Sequence, residues 1–271
     1  MTSKSIIIGL VQLSSVCNKR KNLNKLGKLI KECNAELIVT PEYFMANIKG
    51  LTPHQVYEIS EPLNGPFVSE LSKLAIEHSV YILATLFEKS NKPPRVYNTA
   101  VFINPKGDIE CTYRKIHLFD AYGYRESDYM IHGDKPSPIV NVKSANIAIA
   151  ICFDIRFPEL YRYYALKGAD IVVNPSAWYR GPFKEETLRF LAQARAHENT
   201  FYMVIVNQCG LDFTGRSMIV NPYGIVEVDL GAEERYLEYQ LDLNLINRVR
   251  EVLPILKLRR SKIYSNIFSI S

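Results

Sequence analysis

The sequence predicts an α/β layered sandwich built on mixed β-sheet. Short apolar runs of strand length alternate with segments whose apolar residues recur at helical spacing. Two Asn-Pro-x-Gly turns, at 104–107 and 221–224, each join a pair of apolar runs as a hairpin. The runs are apolar on both faces rather than alternating, so the sheet needs a covering layer on each side.

In chain order, 5–13 reads as a first buried strand, because Gln12 interrupts the apolar run and no small-residue cleavage site of a signal peptide follows. Leu23, Leu26, Ile30 and Cys33 then recur at helical spacing, and 36–40 is a second strand. A helix over 66–78 precedes a strand over 80–87, and strands over 96–103 and 109–113 flank the first turn. A long polar connection, 115–138, carries no predicted element. Beyond it follow strand 146–152, helix 159–167, strand 169–173, helix 183–199, strand 201–207 and a second hairpin from 217–220 and 225–228. A short helix over 244–253 stops before Pro254, and 257–271 is basic, then apolar, without a strong period. No linker or low-complexity segment divides 1–271, which reads as a single domain.

Composition narrows the function classes. A chain of 271 residues with 47% hydrophobic and 23% charged residues is ordinary globular usage, which excludes disorder and fibrous repeats. The net charge of +5 is spread along the chain, so nothing points to a nucleic-acid partner. No stretch approaches the roughly 18 apolar residues of a membrane span. Cysteines at 17, 33, 111, 152 and 209 are odd in number and form no C-x-x-C or Cys/His zinc pattern. A reduced, cytoplasmic, metal-free protein is expected. No Gly-rich phosphate loop is present, and no cysteine-protease signature surrounds any cysteine.

Three segments each place a reactive side chain where an apolar strand gives way to a loop: Thr40-Pro41-Glu42-Tyr43, Tyr113-Arg114-Lys115-Ile116-His117 and Ile151-Cys152-Phe153-Asp154. Singly, Cys152 reads as a small core hydrophobe, Glu42 as a turn carboxylate and Lys115 as a solvated charge. Together they suffice for acyl transfer without a metal or cofactor. A carboxylate takes the thiol proton, the thiolate attacks a carbonyl carbon and the ammonium stabilises the oxyanion.

These segments resemble the Glu, Lys and Cys motifs of the nitrilase superfamily, the carbon-nitrogen hydrolases. The stretch Cys152-Phe153-Asp154-Ile155-Arg156-Phe157-Pro158-Glu159-Leu160 is similar to that of the branch containing omega-amidase and deaminated-glutathione amidase. Asn174-Pro175-Ser176-Ala177-Trp178, Ala194-Arg195-Ala196-His197-Glu198-Asn199 and Ser217-Met218-Ile219-Val220-Asn221-Pro222-Tyr223-Gly224 extend the likeness over nearly the whole chain. The resemblance implies a four-layer αββα sandwich and a homodimer or higher homo-oligomer with the C-terminal tail at the interface. It further implies Glu42 as general base, Lys115 as oxyanion ligand, Cys152 as nucleophile and Glu126 as a second glutamate beside the lysine. The Phe153 N–H becomes the second oxyanion donor, and Arg156 matches a position that binds a substrate carboxylate. From the residues alone, Arg156 equally begins the next helix or pairs with Asp154 or Glu159.

The expected reaction is hydrolysis of a small carboxamide, of the omega-amide type, to acid and ammonia through a Cys152 thioester. N-carbamoyl amine hydrolysis, nitrile hydrolysis and a binding protein that retains the fold are the other readings. Replacing Lys115 is expected to cost rate and leave the fold intact. The chain departs from the family at Gly215-Arg216-Ser217 (Gly-His-Ser in many members), Thr187-Leu188 (His-Trp) and His132-Gly133-Asp134 (Pro-Gly-Asp). None of these touches the Glu/Lys/Cys set, so the acyl group is what they leave open.

Overall fold

The computed structural model describes residues 4–268. The first half runs β1 (Ser5–Gln12), α1 (Lys19–Leu29), β2 (Leu37–Val39), α2 (Pro53–Ile59), α3 (Pro66–His78), β3 (Tyr81–Glu88), β4 (Tyr97–Ile103) and β5 (Ile109–Arg114). A small hairpin, β6 (Asp120–Ala121) and β7 (Tyr124–Arg125), leads to β8 (Val140–Val142), β9 (Ala145–Ile149), α4 (Pro158–Leu166), β10 (Ile171–Ser176), α5 (Lys184–Asn199) and β11 (Tyr202–Asn207). The chain closes with β12 (Met218–Val220), β13 (Val226–Asp229), β14 (Arg235–Asp242), α6 (Leu243–Val252), α7 (Ile255–Leu258) and α8 (Ser261–Phe268).

The strands form two mixed six-stranded sheets, ordered β14-β1-β2-β3-β4-β5 and β13-β12-β11-β10-β9-β8. Period-two alternation decides which side chains meet between them. Ile6, Ile8 and Leu10 of β1 share one apolar cluster with Leu83 and Phe102 of their own sheet and Ile147, Val172, Met203 and Ile219 of the other. The opposite face of the first sheet, including Val11, Ile82 and Val101, packs on Leu26 of α1 and on Val68, Leu71 and Ala75 of α3. Tyr161 and Tyr164 of α4 and Leu188, Ala192 and Ala196 of α5 cover the second sheet. Helix, sheet, sheet, helix is thus the layer order, as expected. Each fully buried aliphatic side chain in these layers contributes about 1.5–3 kcal/mol.

Local signals start the helices. The Asn18 side chain accepts from the Lys21 N–H at the head of α1, and Thr52 and Gln55 form a capping box on α2, with Pro53 at its first turn. Pro66 opens α3, which closes on Ser79 at φ 53°.

Five readings of the sequence need correction. Strand β14 was not predicted, yet it pairs with β1 along its full length, from Ser5 opposite Asp242 to Gln12 opposite Arg235. Its half-buried residues alternate with charged ones at the edge of the sheet, which weakens the apolar signal. Helix α2 was likewise missed. The polar connection holds β6, β7 and a 3-10 turn at Glu126–Asp128, and the tail read as aperiodic takes part in α7 and α8 as far as 268, its last residues, 269–271, lying outside the described residues. The strand expected over 146–152 ends at Ile149, and Cys152 begins a 3-10 turn instead.

Candidate active site

Both sheets contribute to one cleft of about 370 Å³, including its open mouth, lined by Glu42, Tyr43, Lys115, Phe119, Cys152, Phe153, Arg156, Ala177, Trp178, Tyr179 and Lys184. Glu42 follows β2 and Lys115 follows β5 in the first sheet, while Cys152 follows β9 and Ala177 follows β10 in the second. Every residue assigned a role from the sequence reaches this place.

Glu42 is 1% exposed. Its Oε1 accepts from Lys115 Nζ at 2.9 Å and from Asn98 Nδ2 at 2.8 Å, and its Oε2 accepts from the Ala177 N–H at 2.8 Å. Glu126, also buried, accepts from Lys115 Nζ at 3.0 and 2.8 Å, from the Phe119 N–H at 2.6 Å and from the Tyr43 hydroxyl at 3.3 Å. One ammonium therefore bridges two buried carboxylates, a geometry that offsets the cost of burying all three. Gly133 holds the lysine segment: its N–H donates to the Lys115 carbonyl at 2.7 Å, and a Cβ there would lie 2.2 Å from the Arg114 carbonyl oxygen.

Cys152 sits at φ 44°, in the left-handed region that non-glycine residues enter only when their surroundings compel it. Asp154 supplies much of that compulsion. Its carboxylate accepts from the Ile151 N–H at 2.9 Å, the Tyr113 hydroxyl at 2.7 Å and the His117 N–H at 3.1 Å, with His117 Nδ1 at 2.7 Å. The turn bearing the thiol is thereby tied to the strand end bearing Lys115. Asp154 N–H and Phe157 N–H close the turn on the carbonyls of Ile151 and Asp154, bonds that do not use the Phe153 N–H. That N–H stays available beside the thiol.

Burial pushes the Glu42 carboxyl up, as does Glu126, and Lys115 only partly opposes them. Burial and the Glu42 carboxylate together hold the Cys152 thiol well above its ordinary value. For Lys115, burial acts downward, but Glu126 and Glu42 overcome it and hold the ammonium well above the usual lysine range. The arrangement is a protonated thiol beside a strengthened carboxylate base and a permanent cation. Such a set can pass the thiol proton to Glu42 as sulfur attacks an acyl carbon, with the oxyanion held by Lys115 and a backbone N–H.

Arg156 pairs with neither Asp154 nor Glu159, the two acids adjacent in sequence. Its guanidinium carbon lies 4.9 Å from the Trp178 ring centroid and 5.7 Å from that of Phe153, and its Nε is buried without a partner. Residues that the sequence reading passed over are Asn98, which bonds Glu42 and lies 3.5 Å from Glu126, together with Tyr43, Asp154 and Lys184. A single amide inside the apolar run of β4 is the signal for Asn98. Among the described residues, no histidine lines the cleft and no group of three or more His, Cys, Asp or Glu side chains is placed to hold a metal ion.

The fold thus brings a thiol, an ammonium and the Glu42 carboxylate into one cleft, with Glu126 buried behind the ammonium, a set suited to acyl transfer. The sequence profile of the carbon-nitrogen hydrolase family matches residues 7–251. The deaminated glutathione amidase of Rattus norvegicus is 30% identical over 284 residues, covering 98% of this chain and 85% of the relative. Nit3 of Saccharomyces cerevisiae, a member of branch 10 of the nitrilase superfamily, superposes with a TM-score of 0.82 at 28% identity over 95% of this chain and 97% of its own. A mutant of the amidase from Nesterenkonia sp. AN1, with the acetamide moiety of fluoroacetamide covalently added at its active-site cysteine, superposes with a TM-score of 0.81 at 25% identity, covering 96% of each chain. The chain belongs to the carbon-nitrogen hydrolase family, and it is an amide-hydrolysing enzyme.

Proposed function

We propose that the protein hydrolyses a small, carboxylate-bearing carboxamide to the acid and ammonia through a thioester on Cys152. The observation that carries this reading is the Lys115 ammonium bonded at once to Glu42 and Glu126 in the cleft that holds the thiol. Glu42 accepts the thiol proton, passes it to the departing ammonia and then activates water against the thioester. Lys115 and the Phe153 N–H hold the oxyanion in both halves of the reaction. Glu126 keeps the ammonium in place and charged. The modified cysteine of the Nesterenkonia amidase supports the choice of nucleophile. A screen of small amides, N-carbamoyl amines and nitriles for ammonia release tests the reaction class; turnover of nitriles alone would overturn it.

The substrate carboxylate falls to Arg156, whose forked donor faces the cleft with no acidic partner of its own. A neutral amide of equal length forfeits a charge-assisted bond of about 2 kcal/mol, roughly thirtyfold in kcat/KM. Arg156→Met is expected to erase the preference for an acidic amide over its methyl ester, chiefly through KM. A preference unchanged in the variant would leave Arg156 a structural residue.

The raised Glu42 pKa gives the acid limb of the pH profile its sign. A base that keeps its proton to higher pH is lost earlier as pH falls, so the midpoint of kcat/KM on the acid side is expected above the ordinary glutamate value of about 4.3. A midpoint at or below that value would count against Glu42 as the base.

We extend the reading to a single catalytic domain acting as a cytoplasmic homodimer. The five unpaired cysteines favour a reducing compartment, and no helix among the described residues is long and apolar enough to cross a membrane. A groove of about 1460 Å³, including its open mouth, lies beside α4; lined by Tyr163, Leu166, Ile255 and Leu258, it offers the tail-side surface a second copy would cover.

A further inference from the structure

The outer wall of the cleft carries two cations and no acid to neutralise them. Arg156 and Lys184 both line it, and neither belongs to an ion pair among the described residues. Lys184 opens α5, where its ammonium lies 3.6 Å from the centroid of the Tyr122 ring, 5.7 Å from that of Phe119 and 5.9 Å from that of Trp178. Trp178 is shared, because the Arg156 guanidinium carbon is 4.9 Å from the same indole. The indole is held in turn by its own Nε1–H, which donates to the Lys184 carbonyl at 2.9 Å. Burial and the charge on Arg156 both push the Lys184 pKa down, whereas Tyr122 opposes them. Two like charges gathered on one ring repel, and aromatic faces compensate only part of the lost hydration. An anion seated beside them removes the repulsion and satisfies the buried Arg156 Nε.

We propose that Lys184 is a substrate-specificity residue, forming with Arg156 a two-cation seat for the carboxylate of the amide substrate. Arg156 grips the carboxylate through its planar fork, and Lys184 leaves the Tyr122 face to add a point charge from the cleft mouth. Tyr122 is the resting perch of that ammonium. It lies at the tip of the β6–β7 hairpin, 74% exposed, where movement of the lysine disturbs no packed core. The inference rests on the carboxylate-bearing substrate proposed above and adds the residue that reads it from the solvent side.

The test compares glutaric acid monoamide with its methyl ester, following ammonia release so that only the amide is counted. Lys184→Gln is expected to raise KM for the acid about tenfold while leaving kcat and the ester kinetics within about twofold. Lys184→Arg should restore most of the loss, and Tyr122→Leu, which removes the perch but keeps the charge, should retain the preference. The advantage of acid over ester should shrink with added salt in the wild type more than in Lys184→Gln, because a half-buried charge at the cleft mouth is still reached by screening ions. Equal KM changes for acid and ester, or none, would overturn the assignment of Lys184. Should the wild type prefer the acid and lose that preference in Arg156→Met but not in Lys184→Gln, Lys184 alone is excluded. A wild type that does not distinguish acid from ester removes the carboxylate-bearing substrate and this inference together.

Discussion

Cys152→Ala is expected to lower amide turnover by about a thousandfold or more, because it removes the group that the proposed mechanism uses as nucleophile in both half-reactions. The fold should survive. One sulfur leaves a site that borders the cleft, and alanine at φ 44° bears no more backbone strain than cysteine does there. Wild-type protein quenched during turnover should carry an acyl adduct on Cys152 alone. None of Cys17, Cys33, Cys111 and Cys209 lines the cleft, so none of them shares the Glu42 carboxylate that can take the Cys152 proton. Intact-mass and peptide mass spectrometry read the result; an adduct on another cysteine, or an alanine variant that keeps its activity, would relocate the site.

Lys115→Met is expected to cost both rate and stability. The sequence suggested a loss of rate alone, as for a solvated lysine. The structure shows an ammonium, 1% exposed, on which two buried carboxylates depend. Removing one partner of such a cluster costs about 3–5 kcal/mol at neutral pH, on the order of 10 °C in melting temperature for a chain of this size. Loss of the oxyanion cation costs a further factor of about 100–1,000 in kcat. The pH dependence has a definite sign. Glu42 already binds its proton more tightly than an unfolded glutamate, and more so without the ammonium, so its contribution to folding is favourable at low pH and is lost as pH rises. The stability deficit of the variant should therefore be smaller near pH 5 than near pH 8 in thermal melts. A variant that melts with the wild type at both pH values would show that the cluster tolerates two unpaired carboxylates.

Much of this site was legible because its chemistry lies at strand ends. Glu42, Lys115 and Cys152 each follow an apolar run, and the strand signal locates them even though they are far apart in the chain. The rest depends on tertiary partners. Glu126 was singled out by the resemblance alone, since it lies in a stretch whose polarity says loop, and only the arrival of Lys115 and the Phe119 N–H allows its complete burial. Strand β14 takes its stability from β1 rather than from its own pattern, and Arg156 is left without an acidic partner while Asp154 accepts from Tyr113, His117 and Ile151. Local sequence carries none of that competition.

The groups to which the proposed reaction is assigned are divided between the two sheets of the sandwich, Glu42 and Lys115 on one side and Cys152 with the Ala177 N–H on the other. Chemistry of this kind demands hydrogen bonds near 2.8 Å and fails when reacting atoms drift by about 1 Å. The sandwich thus acts as a caliper: a slip between sheets too small to unpair a strand already opens the jaws. A molten globule that keeps both sheets and loses only their interdigitation would look folded by far-ultraviolet circular dichroism and be inert. Inactivation on heating is accordingly a measure of how the two halves are registered, not of how well either half is formed.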